Sequence, residues 1–411
     1  MAATLLAGRA ETRPASDSLS VSKGVEEQRP GVTSRIMANV RGGYTFSSYK
    51  DDLLGMLLDE SEAKTTHGFG SLHLGYAFSF DPGSPEGDFF PGAYQGAGVS
   101  LSSFGNYNGI GNPVAVYLLQ GAPVWHITDG LSLNYEWNFG ASFGWRPCDG
   151  TTAMSNLVVG SRVNAYINLG VRLDWRVGRR WLLETGLDLT HYSNGNTAYP
   201  NPGVNSVGMR LGMSYLLGRD YTYGRPKPAV VTSAEPLRHR FTFDVTAYGA
   251  WRKRVYRGID PPVLLKGHFA VAGVGLAPMY DVCRIFRAGA SLDLQWDQSS
   301  DLENYYGYGT TTDDIRFYRP SFLGQVCVGI AARAELVMPY FSVNAGIGCN
   351  VVGPFETHGT YEAVNLKTYL TPGLYINVGY QLLNFRTQNN LMLGIGYTFR
   401  SNRDRRLTLF R

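Results

Sequence analysis

The sequence predicts an all-β fold, an antiparallel transmembrane β-barrel of about 14–16 strands built as two eight-strand-like repeats. Three observations lead there. Hydrophobic residues make up 44% of the 411 positions and charged residues only 17%, low for a soluble globular chain. Aromatic residues reach 13%, with 26 Tyr and 20 Phe, and 50 Gly follow no Gly-X-Y period. No apolar run is long enough for a membrane-crossing helix, while many segments alternate in polarity with period two.

The stretch 131–145 shows the alternation. Its odd positions are Leu131, Leu133, Tyr135, Trp137, Phe139, Ala141, Phe143 and Trp145, an apolar face. Its even positions are Ser, Asn, Glu or Gly. At 163–177, Val163, Ala165, Ile167, Leu169, Val171, Leu173, Trp175 and Val177 share one face, with Arg162, Asn164, Asn168, Arg172, Asp174 and Arg176 on the other. A soluble sandwich buries such an apolar face. Its repetition along the chain, with aromatic ends, predicts instead that Phe139, Val171, Leu187 and Leu189 meet lipid and the polar rows pair inside.

The first half holds eight candidate strands, near 35–46, 67–80, 94–106, 112–127, 131–145, 162–178, 181–194 and 204–218. Tight links such as Thr128-Asp129-Gly130 alternate with long ones such as 47–66 and 146–161, the habit of short periplasmic turns and longer outer loops. The link 81–93 is long on the short side. The second half reads as strands near 239–254, 268–282, 285–297, 320–337, 341–353, 368–383 and 389–401, with a short eighth at 405–411.

The expected organisation is a disordered polar segment at 1–33, a barrel repeat at 34–218, a linker at 219–237 carrying Arg225-Pro226-Lys227-Pro228, and a second repeat at 238–411. Residues 1–8 lack the basic start and full apolar core of a signal peptide, which points to a processed or wrongly started N-terminus. LSLNYEWNFGA at 131–141 echoes FSVNAGIG at 341–348, and GLDLTHYSN at 186–194 echoes GIGYTFRSN at 394–402. A period of about 208 residues suggests duplication. Two eight-stranded barrels in tandem and one merged barrel both fit, and the linker with the charged, fillable interior of the first half favours tandem barrels.

The net charge of +4 forms no basic stripe, so a nucleic-acid partner is not expected. Cys148, Cys283, Cys327 and Cys349 form no C-x-x-C pair, so no metal is implied and no disulfide pairing is readable.

One strand carries candidate chemistry. On 181–194 the outward row is Leu183, Thr185, Leu187, Leu189, His191 and Ser193, and the inward row is Leu182, Glu184, Gly186, Asp188, Thr190 and Tyr192. Period two places His191 and Ser193 on one side, a minimal base and nucleophile. Alternate crossings from a periplasmic start bring this strand end to the outer surface. On the next strand Asn205 shares the phase of Val207, Met209, Leu211 and Met213. Polar residues also occur simply where a strand leaves the membrane.

The run His191-Tyr192-Ser193-Asn194, followed by Pro200-Asn201, Gly203 and a final amphipathic strand, resembles the PagL family of outer-membrane lipid A 3-O-deacylases, over roughly residues 35–218. The resemblance implies an outer-membrane esterase of a Gram-negative bacterium acting on lipid A of lipopolysaccharide, without a cofactor. It assigns His191 and Ser193 to the catalytic pair and Asn194 and Asn201, with Gly195 beside them, to the oxyanion side. The family's Glu, twelve residues after the Ser, falls on Asn205 here, a departure. An Asn oxygen can orient an imidazole but lacks the charge that stabilises imidazolium. Glu184 and Asp188 could assist only against their inward phase, and Arg146 or Arg162 could meet lipid phosphates. The second half has Phe399 in the place of His191, with Ser401 and Asn402 retained, and is expected to be inert. The rival reading is a non-catalytic barrel with a decayed site: a porin, or an adhesin or assembly protein whose Tyr-rich loop at 299–319 binds a partner.

Overall fold

The computed structural model describes residues 31–47, 68–147, 159–217, 241–256, 263–302, 320–354, 358–385 and 387–400. Two closed antiparallel barrels of eight strands each account for nearly all of them. The first contains β1 (Val32–Ser47), β2 (Gly68–Phe80), β3 (Tyr94–Ser103), β4 (Gly111–Thr128), β5 (Leu131–Trp145), β6 (Val163–Val177), β7 (Trp181–Ser193) and β8 (Val204–Leu217). Each strand pairs with the next in sequence, and β1 closes on β8 from Ser34↔Leu217 to Ser47↔Val204. Closure removes every sheet edge, so no backbone donor is left facing lipid. A short helix, α1 (Pro85–Phe89), occupies the link 81–93; Ser84 caps it by accepting from Gly87 N–H.

The second barrel contains β9 (Phe241–Arg252), then, after a small sheet of the two-residue strands β10 (Val255–Tyr256) and β11 (Val263–Leu264), β12 (Phe269–Cys283), β13 (Phe286–Asp297), β14 (Val326–Val337), β15 (Phe341–Val352), β16 (Thr360–Tyr369), β17 (Leu374–Leu383) and β18 (Thr387–Arg400). It closes through β18 and β9, from Leu393↔Gly249 to Arg400↔Thr242. The fold is therefore tandem small barrels and not one merged barrel. The expected strand 368–383 is in fact β16 and β17 meeting at a tight turn, where Thr371 Oγ1 accepts from Leu374 N–H. Pro372 and Gly373 break the apolar run there. The barrel closes without the strand expected at 405–411, which lies outside the described residues, as do 1–30, 218–240 and 303–319.

Sequence alternation becomes a two-sided wall. Leu187, Leu189, Val171, Leu169, Met209 and Leu211 are exposed on the outside of the first barrel. At about 3.3 Å per residue, tilted strands of this length cross a hydrocarbon core. No helix among the described residues could do so. Inside, the polar rows interlock. Arg172 Nη1 lies 2.8 Å from Glu136 and 3.1 Å from Glu184, and its Nη2 lies 2.9 Å from Asp174. Arg210 reaches Glu136 at 2.6 Å and Asp188 at 2.5 Å, and Arg41 reaches Asp188 at 3.2 Å. Such charges stay buried only because each has an opposite partner and hydrogen bonds, since desolvation costs several kcal/mol per ion.

Toward the long-loop end an aromatic layer of Phe104, Tyr117, Trp145, Tyr166 and Tyr192 fills the lumen. Trp145 belongs to this layer and not to the outward row its odd number assigns it. Gly144 takes φ +88° and the β4–β5 register shifts between Gly111 and Val114, so the phase flips after Phe143. With both layers in place, the first barrel is a packed core, which disfavours a porin.

The barrels stand side by side. Near the end with short turns, the ring centroids of Trp137 and Phe341 are 5.1 Å apart, Tyr340 stacks on Phe80, and the Arg284 guanidinium lies over Phe89. Phe139 points outward but is half-buried in a cluster with Met338, Phe341 and Leu366. The expectation that it faces lipid is corrected: outward phase on β5 leads to the second barrel, a neighbour that alternation alone does not reveal.

Candidate active site

His191 and Ser193 end β7, and Asn205 opens β8 directly opposite His191 in the ladder. Opposed residues in a pair share a face, so the three side chains converge outside the barrel wall. His191 Nε2 lies 2.8 Å from Ser193 Oγ and Nδ1 lies 2.6 Å from Asn205 Oδ1. With Asn205 Oδ1 as acceptor, Nδ1 carries the ring proton and Nε2 presents its lone pair to the serine hydroxyl. That is the nucleophile, base and orienter geometry of acyl transfer. All three are half-buried.

Behind them, Tyr192 points inward between Tyr166, Trp145 and Phe104, and its hydroxyl is 3.1 Å from Ser102 Oγ. The aromatic layer thereby braces the strand end that carries the pair. Gly203 takes φ +77°, and a Cβ there would lie 2.8 Å from Tyr192 O and 3.1 Å from His191 Cε1. Only glycine leaves room for the imidazole while turning the chain into β8. Sequence reasoning included Gly203 in the motif without giving it this task; a glycine two residues before the orienter was the available signal.

The link from Ser193 to β8 is tied internally. Asn201 Oδ1 accepts from Asn194 N–H at 3.0 Å, Asn194 O accepts from Thr197 Oγ1 at 2.8 Å, and Asn194 Oδ1 accepts from Ala198 N–H at 3.3 Å. Asn194 is buried, and its Nδ2 has no hydrogen-bond partner among the described residues. Gly195 and Asn196 both adopt left-handed φ, +62° and +69°. Of the predicted oxyanion-side residues, Asn194 and Gly195 directly follow the serine, while Asn201 reaches them through the Asn194 amide.

Other sequence candidates sit apart. Glu184 accepts from Ser214 and pairs with Arg172, and Asp188 pairs with Arg210 and Arg41, all inside the lumen. Arg146 lies over the Tyr107 ring at 4.3 Å. Arg162 precedes β6 and is exposed, correcting its inward assignment. No cluster of His, Cys, Asp or Glu suited to a metal occurs among the described residues. Phe399 does not replace His191. It pairs with Phe243 near the start of β9, at the end of the second barrel opposite Lys253, whose backbone meets the Ser193 loop. The sequence echo matched the seventh strand of one barrel to the eighth of the other, and consecutive strands run in opposite directions. The true seventh strand, β17, turns Ile376, Val378, Tyr380 and Leu382 outward, with no His or Ser in that row. Ser401 and Asn402 lie outside the described residues.

Residues 93–214 match the family model for lipid A 3-O-deacylase (PagL), and residues 241–402 match that for the acyloxyacyl hydrolase C-terminal domain. No curated protein matches the chain. Among solved structures, the outer membrane enzyme PagL is similar at 18% identity, over 43% of this chain and 97% of that one, with a TM-score of 0.28. Outer membrane phospholipase A from Escherichia coli is similar at 11% identity, over 93% and 94%, with a TM-score of 0.16. The COG4313 outer membrane channel from Pseudomonas putida F1 is similar at 12% identity, over 95% and 100%, with a TM-score of 0.18. The two family models fall one on each barrel and together take in more than half of the sequence. The first barrel thus carries a lipid A 3-O-deacylase (PagL) domain and the second an acyloxyacyl hydrolase C-terminal domain.

Proposed function

We propose that the first barrel is an outer-membrane esterase that removes an ester-linked acyl chain from lipid A, using Ser193, His191 and Asn205. The observation that carries this reading is the single imidazole bridging Ser193 Oγ at 2.8 Å and Asn205 Oδ1 at 2.6 Å on an outward face. Ser193 Oγ attacks the ester carbonyl carbon and its proton passes to His191 Nε2. The tetrahedral intermediate collapses, the ester C–O bond breaks, and Nε2 returns the proton to the departing alcohol oxygen. Water, deprotonated by the same nitrogen, then releases the fatty acid and restores the serine.

Asn194 is the assigned oxyanion donor. Its Nδ2 is buried without an acceptor among the described residues, a costly state that a negatively charged oxygen formed at Ser193 would relieve. Asn201 and Gly195 shape the turn that presents it. Asn205 supplies orientation without charge, so imidazolium is less stabilised than beside a carboxylate.

Site placement suits the substrate. Ser193 ends a strand at the long-loop rim, opposite the tight turns at 129–130 and 178–180. Short turns are periplasmic in such barrels, which supports a reading of the pair at the outer leaflet, where lipid A resides. Below it, exposed Leu189 and Leu187 form an apolar track for an acyl chain still in the bilayer. Purified protein incubated with lipid A should release free fatty acid, detected by mass spectrometry, and Ser193→Ala protein should release none. Equal release by both would refute the assignment.

A further inference from the structure

The second barrel lacks a His–Ser pair on its seventh strand, yet its outer end meets the loop that follows Ser193. Lys253 N–H donates to Asn196 O at 2.9 Å, Asn196 Nδ2 donates to Asn389 O at 3.4 Å, and a Cβ on Gly195 would lie 2.3 Å from Leu391 Cγ. We propose that Lys253, Asn389 and Leu391 of the second barrel are positioning residues for the esterase site, holding the 194–201 turn so that Asn194 stays beside Ser193. This rests on ester hydrolysis at Ser193.

Gly195 and Asn196 both take left-handed φ, which these two residue types reach readily among other conformations, so contacts from outside the turn help select it. The internal tie from Asn201 acts at Asn194, before those residues, and the second barrel acts at them. Its side of the contact is rigid. Buried Arg252 bonds Asn389 Oδ1, donates to Asn389 O at 3.3 Å and to Ser299 Oγ at 2.8 Å, and pairs with Asp297 at 2.5 Å. Asn389 Nδ2 donates to Gln381 Oε1 at 3.0 Å. Strands β9, β13, β17 and β18 thus converge on the residues that touch the loop. An oxyanion donor acts only when preorganised, so a scaffold shared with a second barrel bears on rate, beyond its effect on stability.

The test uses the full chain in detergent micelles with lipid A as substrate. Leu391→Ala removes the wall against Gly195, and Lys253→Pro removes the backbone donor. Each should lower kcat roughly tenfold or more, as loss of oxyanion preorganisation does, with KM within about twofold of wild type. Lys253→Ala keeps the backbone N–H and should rescue the rate relative to Lys253→Pro. Far-UV circular dichroism on heating reports whether the barrels persist; if Lys253→Pro does not fold, Leu391→Ala decides. Wild-type kcat in folded Leu391→Ala protein, or equal losses in Lys253→Ala and Lys253→Pro, overturns the positioning role. An inactive wild-type protein instead removes the esterase reading, and this inference with it.

Discussion

His191 and Asn205 face each other across the β7–β8 ladder, with Nδ1 2.6 Å from Oδ1, and the opposite ring nitrogen points at Ser193. With Asn205 Oδ1 as acceptor, this cross-strand pair holds the ring proton on Nδ1 and leaves Nε2 to accept from Ser193. Because the partner is an amide and not a carboxylate, this contact orients the ring and stabilises its charged form less than a carboxylate would.

Asn205→Leu removes the acceptor and should lower lipid A deacylation roughly tenfold to a hundredfold, the range set by losing a tautomer-fixing hydrogen bond. Asn205→Glu keeps the geometry and adds charge, so it should maintain or raise the rate. Steady-state rates of fatty-acid release check both. Equal rates in the Asn, Glu and Leu proteins would reduce the site to a dyad.

Gly203→Ala adds a Cβ 3.1 Å from His191 Cε1 at a φ of +77°. Left-handed backbone costs a non-glycine residue about 1–2 kcal/mol, and the ring must shift as well. Deacylation should fall about tenfold, since that strain is a factor of ten in rate if expressed at the site. The same strain should lower the thermal unfolding midpoint by a few degrees, roughly 2–8 °C. Full activity would mean that the imidazole has room to spare.

Glu136 accepts from Arg172 at 2.8 Å, Arg210 at 2.6 Å and Tyr94 OH at 2.9 Å. Glu136→Ala leaves buried guanidinium groups short of a counter-charge and should destabilise the first barrel by about 3–5 kcal/mol. Urea unfolding in lipid vesicles measures this. A loss within about 0.5 kcal/mol, the range of ordinary surface changes, would show that the remaining carboxylates suffice.

Leu187 lies at the middle of β7 and is 60% exposed on the outer wall. Leu187→Arg should cost about 2–4 kcal/mol in the same vesicles, the penalty for a cation near the bilayer midplane. Unchanged stability would place this face in water.

Much of the fold was legible because strand polarity alternates. The eight strands of the first barrel and the outward phase of His191, Ser193 and Asn205 follow from period two and tight turns, while the linker and the charged, fillable interior favoured the tandem arrangement. Alternation carries no information about neighbours beyond the same wall, so Phe139 was assigned to lipid although the second barrel covers it. It also fails where backbone geometry resets the phase, as at Gly144 before Trp145. The β16–β17 turn was hidden because apolar residues flank Pro372-Gly373 on both sides. Likewise the misplacement of Phe399 arose because two antiparallel strands share one grammar of small, apolar and aromatic residues. At the site, the residue types were readable, but the roles of Gly203 and of the distant Leu391 depend on close approach in space.

The most direct test of the account is mass spectrometry of lipid A from cells expressing wild-type, Ser193→Ala or His191→Ala protein. Both residues sit outside the packed lumen, so the substitutions leave no core cavity, and folding should be retained. Wild-type protein should yield lipid A lacking one ester-linked acyl chain, while each variant, present in the membrane at equal amount, should leave lipid A intact. Wild-type levels of deacylated lipid A with either variant would contradict the Ser193–His191 assignment.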